Sequence, residues 1–327
     1  MNRFGRIFSV QIFGESHGFG VGILIDGCPP GLSLGEDDFI PDLIRRKSGS
    51  FGTTKRMESD HPIIKSGLYN GTTTGAPILI EFPNMDIKSE DYFKNRFSPR
   101  PGHSDFTAYT KFDGYNDFRG GGHFSGRLTA GIVAAGVIAR KIISPAKIEA
   151  RLIEAGGSKD IETAIQNAMD RGDSVGGLIE CRATQMPDSL GEPYFDSVES
   201  VISHIIFSIP AIKGIEFGAG FKSAEMRGSE NNDEIIDISG ATKSNNSGGI
   251  NGGITNGNDL IFRVAVKPTS SIAIKQKTVN LKTSEIQTIE VKGRHDACIA
   301  LRAPVIIEAA AAIALADLKL INKMYKN

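Results

Sequence analysis

Apolar and polar positions along the chain follow two periods. Residues 7–13, IFSVQIF, alternate as a strand does, and 260–268, LIFRVAVKP, alternate strictly, as a half-buried strand does. Residues 21–27, VGILIDG, are a mostly apolar strand closed by CPPG, and 175–185, VGGLIECRATQ, read as another. Residues 63–82 predict a hairpin with Asn70-Gly71 at its bend. Helical patterns lie between them. Residues 36–47, EDDFIPDLIRRK, carry acids in the first turn, bases in the last and Gly49 beyond, as a short helix does. Residues 126–143, GRLTAGIVAAGVIARKII, are apolar on most faces, so a buried helix is expected. Ser158, with Glu162 nearby, opens a helix to Arg171, and 195–207 read as helical. AIKGIEFGAGF (211–221) reads as strand and turn, and NNSGGINGGITNGND (245–259) as a glycine loop. PVIIEAAAAIALADLKLINKMY (304–325) closes the chain as a long helix. No linker interrupts the pattern, and βαβ alternation is missing. One α/β domain over 1–327 with antiparallel connections is expected.

Composition narrows the function classes. The 327 residues are 40% hydrophobic and 23% charged, with a net charge of -1. No global basic field exists for nucleic acid or an acidic membrane, so an anion must be caught by a local cluster. No run of 18 apolar residues occurs, and MNRFGRIFSV lacks the apolar core of a secretory signal, so a cytoplasmic protein is expected. Cys28, Cys181 and Cys298 are far apart and lack CxxC spacing; buried thiols in a reducing compartment fit them better than zinc. The 38 glycines exceed the roughly 7% of an average protein and are clustered.

Four constellations could carry chemistry. Gly14-Glu15-Ser16-His17-Gly18 places an imidazole in a turn between strands; taken alone it reads as a tight turn with a solvated ring. His103 follows Pro101-Gly102, and Arg119-Gly120-Gly121-Gly122 precedes the buried helix. Free N–H groups at a helix start, approached over glycines, suit an anion; a close helix–strand crossing would need the same small residues. No GK[ST] or GxGxxG accompanies it, and with no HExxH and no cysteine near, a zinc site from His103 and His123 is not expected. Asn246 to Gly253, followed by Lys267-Pro268-Thr269-Ser270-Ser271 at a strand end, offers amides, hydroxyls and a cation to a flat, phosphate-bearing ligand; an ordinary capped loop is the alternative. Lys292-Gly293-Arg294-His295-Asp296 groups charges costly to bury unless used, ahead of an apolar helix.

Together and in this order the motifs resemble the chorismate synthase family. They are FGESHG (13–18), RRKSGSFGTTKR (45–56), RPGHSDFTAYTKF (100–112), DFRGGGHFSGR (117–127), AIKGIEFGAGF (211–221), SGGINGGI (247–254), VKPTSSI (266–272) and KGRHDACIALRAPVIIEAAAA (292–312). The resemblance spans nearly the whole chain. It implies a sandwich of antiparallel sheets with helices between them, usually a homotetramer. It also implies conversion of 5-enolpyruvylshikimate 3-phosphate to chorismate and phosphate by 1,4-anti elimination on reduced FMN. By resemblance His17 protonates the leaving phosphate, His103 stabilises the reduced flavin, and Asp296 takes a proton from flavin N5. Ser16 and Ser125 support them. FMN contacts carried over are His123, Phe124, Ser125, Pro210, Ala211, Gly252, Lys267, Pro268, Thr269, Ser270, Ser271 and Arg294. Substrate anions fall to Arg45, Arg46 and Arg127.

Two departures stand out. Many members carry another arginine near Phe51-Gly52-Thr53, which Lys55 or Arg56 would replace here. The segment 141–160 is shorter than expected, as a trimmed strand or loop would be. Fungal relatives reduce their flavin with NADPH; this compact chain resembles those that depend on an external reductant. A flavin oxidoreductase and a non-catalytic nucleotide-binding module are the competing readings.

Overall fold

The computed structural model describes residues 2–54, 58–85, 92–93, 95–291 and 295–325. A five-stranded antiparallel sheet is built from β1 (Arg3–Phe4), β2 (Ser9–Gly14), β3 (Gly20–Asp26), β4 (Ile63–Ile64) and β7 (Ile78–Pro83), in the order β1-β2-β3-β7-β4. The hairpin β5 (Leu68–Tyr69) and β6 (Thr72–Thr73) interrupts it, with Asn70 and Gly71 at its bend as expected. A second antiparallel sheet holds β8 (Lys147–Ala155), β9 (Gly177–Thr184), β10 (Ile212–Phe217) and β13 (Leu260–Val266), in the order β10-β13-β9-β8. Two further hairpins are β11 (Ile250–Asn251) with β12 (Ile254–Thr255), and β14 (Gln276–Val279) with β15 (Ile286–Ile289).

The principal helices are α1 (Ile40–Arg46), α2 (Asp105–Lys111), α3 (Thr129–Ile143), α4 (Ile161–Asp170), α5 (Val198–Ser208) and α6 (Pro304–Asn322). Period-two burial aims one face of each sheet at them. Val21, Ile23 and Ile25 of β3 are buried with Ile78, Ile80 and Phe82 of β7; Leu260, Phe262, Val264 and Val266 of β13 are buried too. Helix α3 packs on β3 and β7, α6 on β8 and β9, and the two helices pack on each other. The expected sandwich is therefore present, and α3 and α6 are buried almost all round because both their faces meet protein. Each fully buried large side chain contributes roughly 1.5–3 kcal/mol.

Small residues set the helix spacing. A Cβ on Gly136 would lie 2.3 Å from Ala309 Cβ, so only glycine lets α3 approach α6 this closely. Buried acids tie the layer to its surroundings. Asp317 of α6 accepts the N–H groups of Arg6, Ile7 and Phe8 at 2.9, 2.8 and 3.0 Å. The three cysteines are free and buried, as expected, and burial pushes the Cys28 thiol up to about 11.

Some local expectations need correction. Asp160, not Ser158, caps α4, its side chain accepting from Thr163 N at 3.3 Å. The glycine loop contains the β11–β12 hairpin. The segment 141–160 contains nine-residue strand β8, whose alternating charges conceal it in sequence. No described helix is long and apolar enough to cross a membrane.

Candidate active site

The site begins with three glycines that only left-handed backbone can thread. Gly120, Gly121 and Gly122 have φ of 59°, 83° and 53°, and they curl residues 119–124 into an arch ahead of α3. Side chains at these φ values are strained, and a Cβ on Gly122 would lie 2.0 Å from the Asp117 carbonyl. Two imidazoles from other segments lie against the arch. The Gly120 Cβ position lies 2.4 Å from His17 Cδ2 and 2.6 Å from its Nε2. The Gly121 position lies 3.5 Å from His103 Cε1 and 3.8 Å from its Nε2. The Ser16 amide donates to Gly122 O at 3.1 Å, which docks the His17 turn on the arch. His123 Nδ1 donates to Gly14 O at 2.8 Å, so its Nε2 is left as a buried acceptor without a partner.

Beside the arch lies a cavity of about 270 Å³. Arg46, Asp60, Tyr92, Ser125, Arg127, Pro210, Thr269, His295, Asp296 and Arg302 line it. Tyr92 stacks edge-on against His17, with ring centroids 5.1 Å apart, and so links that imidazole to the cavity. The start of α3, through Thr129 and Gly126 in the turn before it, and that of α6, through Ile306 and the capping Ala303, reach the same space. Both helices thus turn their positive ends toward it, which favours an anion.

Two buried guanidiniums reinforce that field. Arg46, at the end of α1, and Arg127, in the turn before α3, each bind one oxygen of Asp60. Burial pushes both guanidinium pKa values down and Asp60 pushes them back up. Burial would raise the Asp60 carboxyl, but Arg46 and Arg127 outweigh it and hold the group below the usual carboxylate range. Asn84 joins this group to the His17 turn. Its amide donates to Glu15 O at 3.0 Å and Gly18 O at 2.9 Å, and its carbonyl accepts from Arg127 Nε at 3.0 Å.

The opposite wall is set by Asp296. One oxygen accepts from Thr54 N at 2.8 Å, and the other lies 3.2 Å from Arg302 Nη1. Arg302 Nε also donates to the Arg46 carbonyl at 3.0 Å, tying both walls together. Burial and Arg100 push the His295 pKa down, against Asp296. The strand-end segment braces the turn that carries His103 and brings Thr269 to the cavity. Lys267 Nζ and Ser270 Oγ both donate to Gly102 O, and Arg100 Nη1 donates to Ser271 Oγ at 3.0 Å. Lys267 N donates to the Ala211 carbonyl at 2.9 Å.

The sequence-derived set therefore divides. His17, His103, His123, Phe124 and Ser125 are gathered by the arch; Arg46, Arg127, Pro210, Thr269 and Asp296 face or flank the cavity; Lys267, Ser270 and Ser271 support the His103 turn, and Pro268 packs near Gly176. Arg45 does not face the cavity: it forms a two-pronged pair with Glu308, 2.7 Å on each side. Gly252 sits in the turn of the β11–β12 hairpin, where an added Cβ would meet open space; its neighbour Gly253 lies against Ser197 at the start of α5, whereas Pro210 follows the end of that helix. An eleven-residue helix, about 16 Å long, separates the two. Arg294, Lys55 and Arg56 lie outside the described residues. Asp60 and Asn84 carry no periodic signal as lone polar residues, and Thr54 and Arg302, though inside the motifs of 45–56 and 292–312, show their part only once the fold brings them to Asp296.

The family model described as chorismate synthase matches residues 8–320. The chain belongs to the chorismate synthase family. A chorismate synthase of Chitinophaga pinensis is 58% identical over 332 residues, covering 100% of both chains. One of Pyrococcus abyssi is 43% identical over 351 residues, covering 98% of each. A solved structure, "Crystal Structure of Chorismate Synthase", superposes with a TM-score of 0.75 at 26% identity, covering 97% of this chain and 93% of that one. Relatives of the chorismate synthase name are enzymes of the lyase class, and they match this chain along its full length.

Proposed function

We propose that this cavity eliminates phosphate from 5-enolpyruvylshikimate 3-phosphate to give chorismate, with reduced FMN bound against the glycine arch. One observation carries the reading. Among the described residues, seven buried side-chain polar atoms lack a hydrogen-bond partner. Five of them belong to Ser16, Arg46, His123, Thr269 and His295, on the arch or around the cavity. Buried polar atoms without partners are costly in a free protein, so their clustering marks a surface completed by a polar ligand.

The donor set fits both molecules. Arg46 and Arg127, with the two helix ends, suit the phosphate and carboxylates of the substrate. The arch, His123, Phe124, Ser125, Pro210, Ala211, Thr269 and the segment from Lys267 to Ser271 suit a flat ring and its phosphate tail. Reduced FMN, when bound, supplies an electron-rich ring that eases departure of the substrate's phosphate. His17, held between Gly120 and Tyr92, donates a proton to that leaving phosphate. His103 holds a proton against the negative charge of the reduced ring. Asp296, aimed by Thr54 and Arg302, would take a proton from N5 of the reduced ring, leaving that nitrogen able to receive the one lost from the substrate. The whole chain works as one catalytic domain. A cytoplasmic homotetramer supplied by an external flavin reductant completes the reading.

An anaerobic assay tests it. Enzyme, dithionite-reduced FMN and 5-enolpyruvylshikimate 3-phosphate are mixed, and phosphate, chorismate absorbance and flavin redox state are followed together. Phosphate and chorismate appear in equal amounts while the flavin stays reduced. Net flavin oxidation coupled to turnover would instead mean an oxidoreductase, and absence of turnover would mean a binding module.

A further inference from the structure

His103 carries a contact that its role in the reaction does not explain. Its Nδ1 lies 2.6 Å from Asp105 Oδ1. Two bare acceptors repel at that distance, so a proton sits between them, and the ring nitrogen is its donor. Arg100 Nη2, at 3.1 Å, and Ser104 Oγ, at 3.5 Å, are the other neighbours of Nδ1. Arg100 is committed elsewhere. It grips Asp105 through Nε to Oδ2 at 2.7 Å, Nη2 to Oδ1 at 2.9 Å and its backbone N–H to Oδ2 at 3.1 Å. Burial would raise the Asp105 carboxyl, but the hydrogen bonds from Arg100 and His103 hold it well below the usual carboxylate range, so it remains an acceptor.

We propose that Asp105 is a positioning residue: it fixes neutral His103 as the Nδ1–H tautomer and makes Nε2 the ring nitrogen presented to the glycine arch. The geometry of the other ring edge agrees, since Cε1 and Nε2 are the atoms facing Gly121. Helix α2 places the two groups. Asp105 is its first residue and His103 lies in the turn before it, so one carboxylate both begins the helix and holds the imidazole. Removing the carboxylate frees Arg100, the nearest remaining donor, to hydrogen-bond Nδ1. The ring proton then moves to Nε2. Nδ1, then an acceptor for the Arg100 cation, no longer takes a second proton, so the ring loses the imidazolium form that would hold positive charge against the reduced ring.

The inference rests on the proposed function only for the task of His103, and the test separates the two. Enzyme carrying ¹⁵N-labelled histidine is examined by long-range ¹H–¹⁵N correlation, with His103 assigned from the spectrum of His103→Gln. Wild-type His103 shows a protonated Nδ1 and a bare Nε2 in its neutral form, and Asp105→Ala reverses the pattern. In turnover with reduced FMN, Asp105→Ala lowers kcat by ~10–100-fold, the range for residues that orient a functional histidine, with KM for substrate little changed. Adding Asp105→Ala to His103→Gln costs nothing further, because the first acts through the second. A wild-type proton on Nε2, or losses that multiply in the double variant, overturns the proposal. Should Asp105→Ala fail to fold, the wild-type spectrum decides alone. If the tautomer is as stated and turnover is indifferent to both residues, Asp105 still sets the ring, and the role given to His103 in the reaction falls.

Discussion

Gly120 and the His17 ring are in contact, and the space between them is too small for a methyl group. The added Cβ would lie 2.4 Å from the ring, on a residue whose φ is 59°. Gly120→Ala therefore displaces the imidazole and strains the backbone by ~1–2 kcal/mol. The expected result is a loss of kcat of ~10²–10⁴, the range for removing a general acid, with only a modest fall in melting temperature. Steady-state rates and thermal melts of the variant check both halves.

Asn84 serves two structures with one side chain. Asn84→Ala removes two bonds to the His17 turn and one to Arg127. Hydrogen bonds to charged groups contribute about 1.5–3 kcal/mol, so the Arg127 bond alone gives an expected rise in KM. A fall in kcat accompanies it, since the His17 turn loosens as well. Kinetics that change in only one parameter would show that the two sides are independent.

Arg45 and Arg46 are neighbours in sequence and opposites in placement. Arg46→Ala and Arg127→Ala raise KM for substrate by ~10–100-fold, equivalent to the 1.5–3 kcal/mol of a charged hydrogen bond. Arg45→Ala lowers the melting temperature and leaves KM nearly unchanged, because its partner is Glu308. Parallel KM and melting measurements on the three variants distinguish the roles.

Acid weakens the Asp60 bridge in a definite direction. Its folded carboxyl titrates below the unfolded value of about 3.9, so its contribution is fully present above that pH and lost as pH falls through the folded value. Urea midpoints hold level in this contribution from pH 6 to about pH 4 and fall below it, and Asp60→Asn flattens that acid limb. Asp60→Ala, which strands two buried arginines, costs on the order of 3–5 kcal/mol at neutral pH.

Much of this was legible in the chain because it is periodic or compositional. LIFRVAVKP showed its buried face through alternation, and the run from Gly126 to Ile143 showed a helix enclosed on all sides. The RGGGHFSGR stretch signalled a backbone that must pass close to something. Strand β8 was hidden because KIEARLIEA places charges on its exposed face at an edge of the sheet. The divergence of Arg45 from Arg46 was hidden too: successive helical residues point about 100° apart, and which one met the cavity depended on Glu308, 262 positions beyond Arg46. Asp60 and Asn84 acquire meaning only when the chain folds back on itself. Gly252 looked like its cradle-forming counterparts because glycine motifs show the backbone's freedom and not its address.

The seam between Gly136 and Ala309 reaches further than its size suggests. Seven residues, or about 10 Å of helix, separate it from Thr129 at the cavity. Because α3 and α6 touch there backbone to backbone, their leading ends enter the cavity as a single rigid prow. A methyl group added at this buried seam would splay the prow and spread the field that meets an incoming anion, so a lesion far from every reacting atom would be felt as slower chemistry.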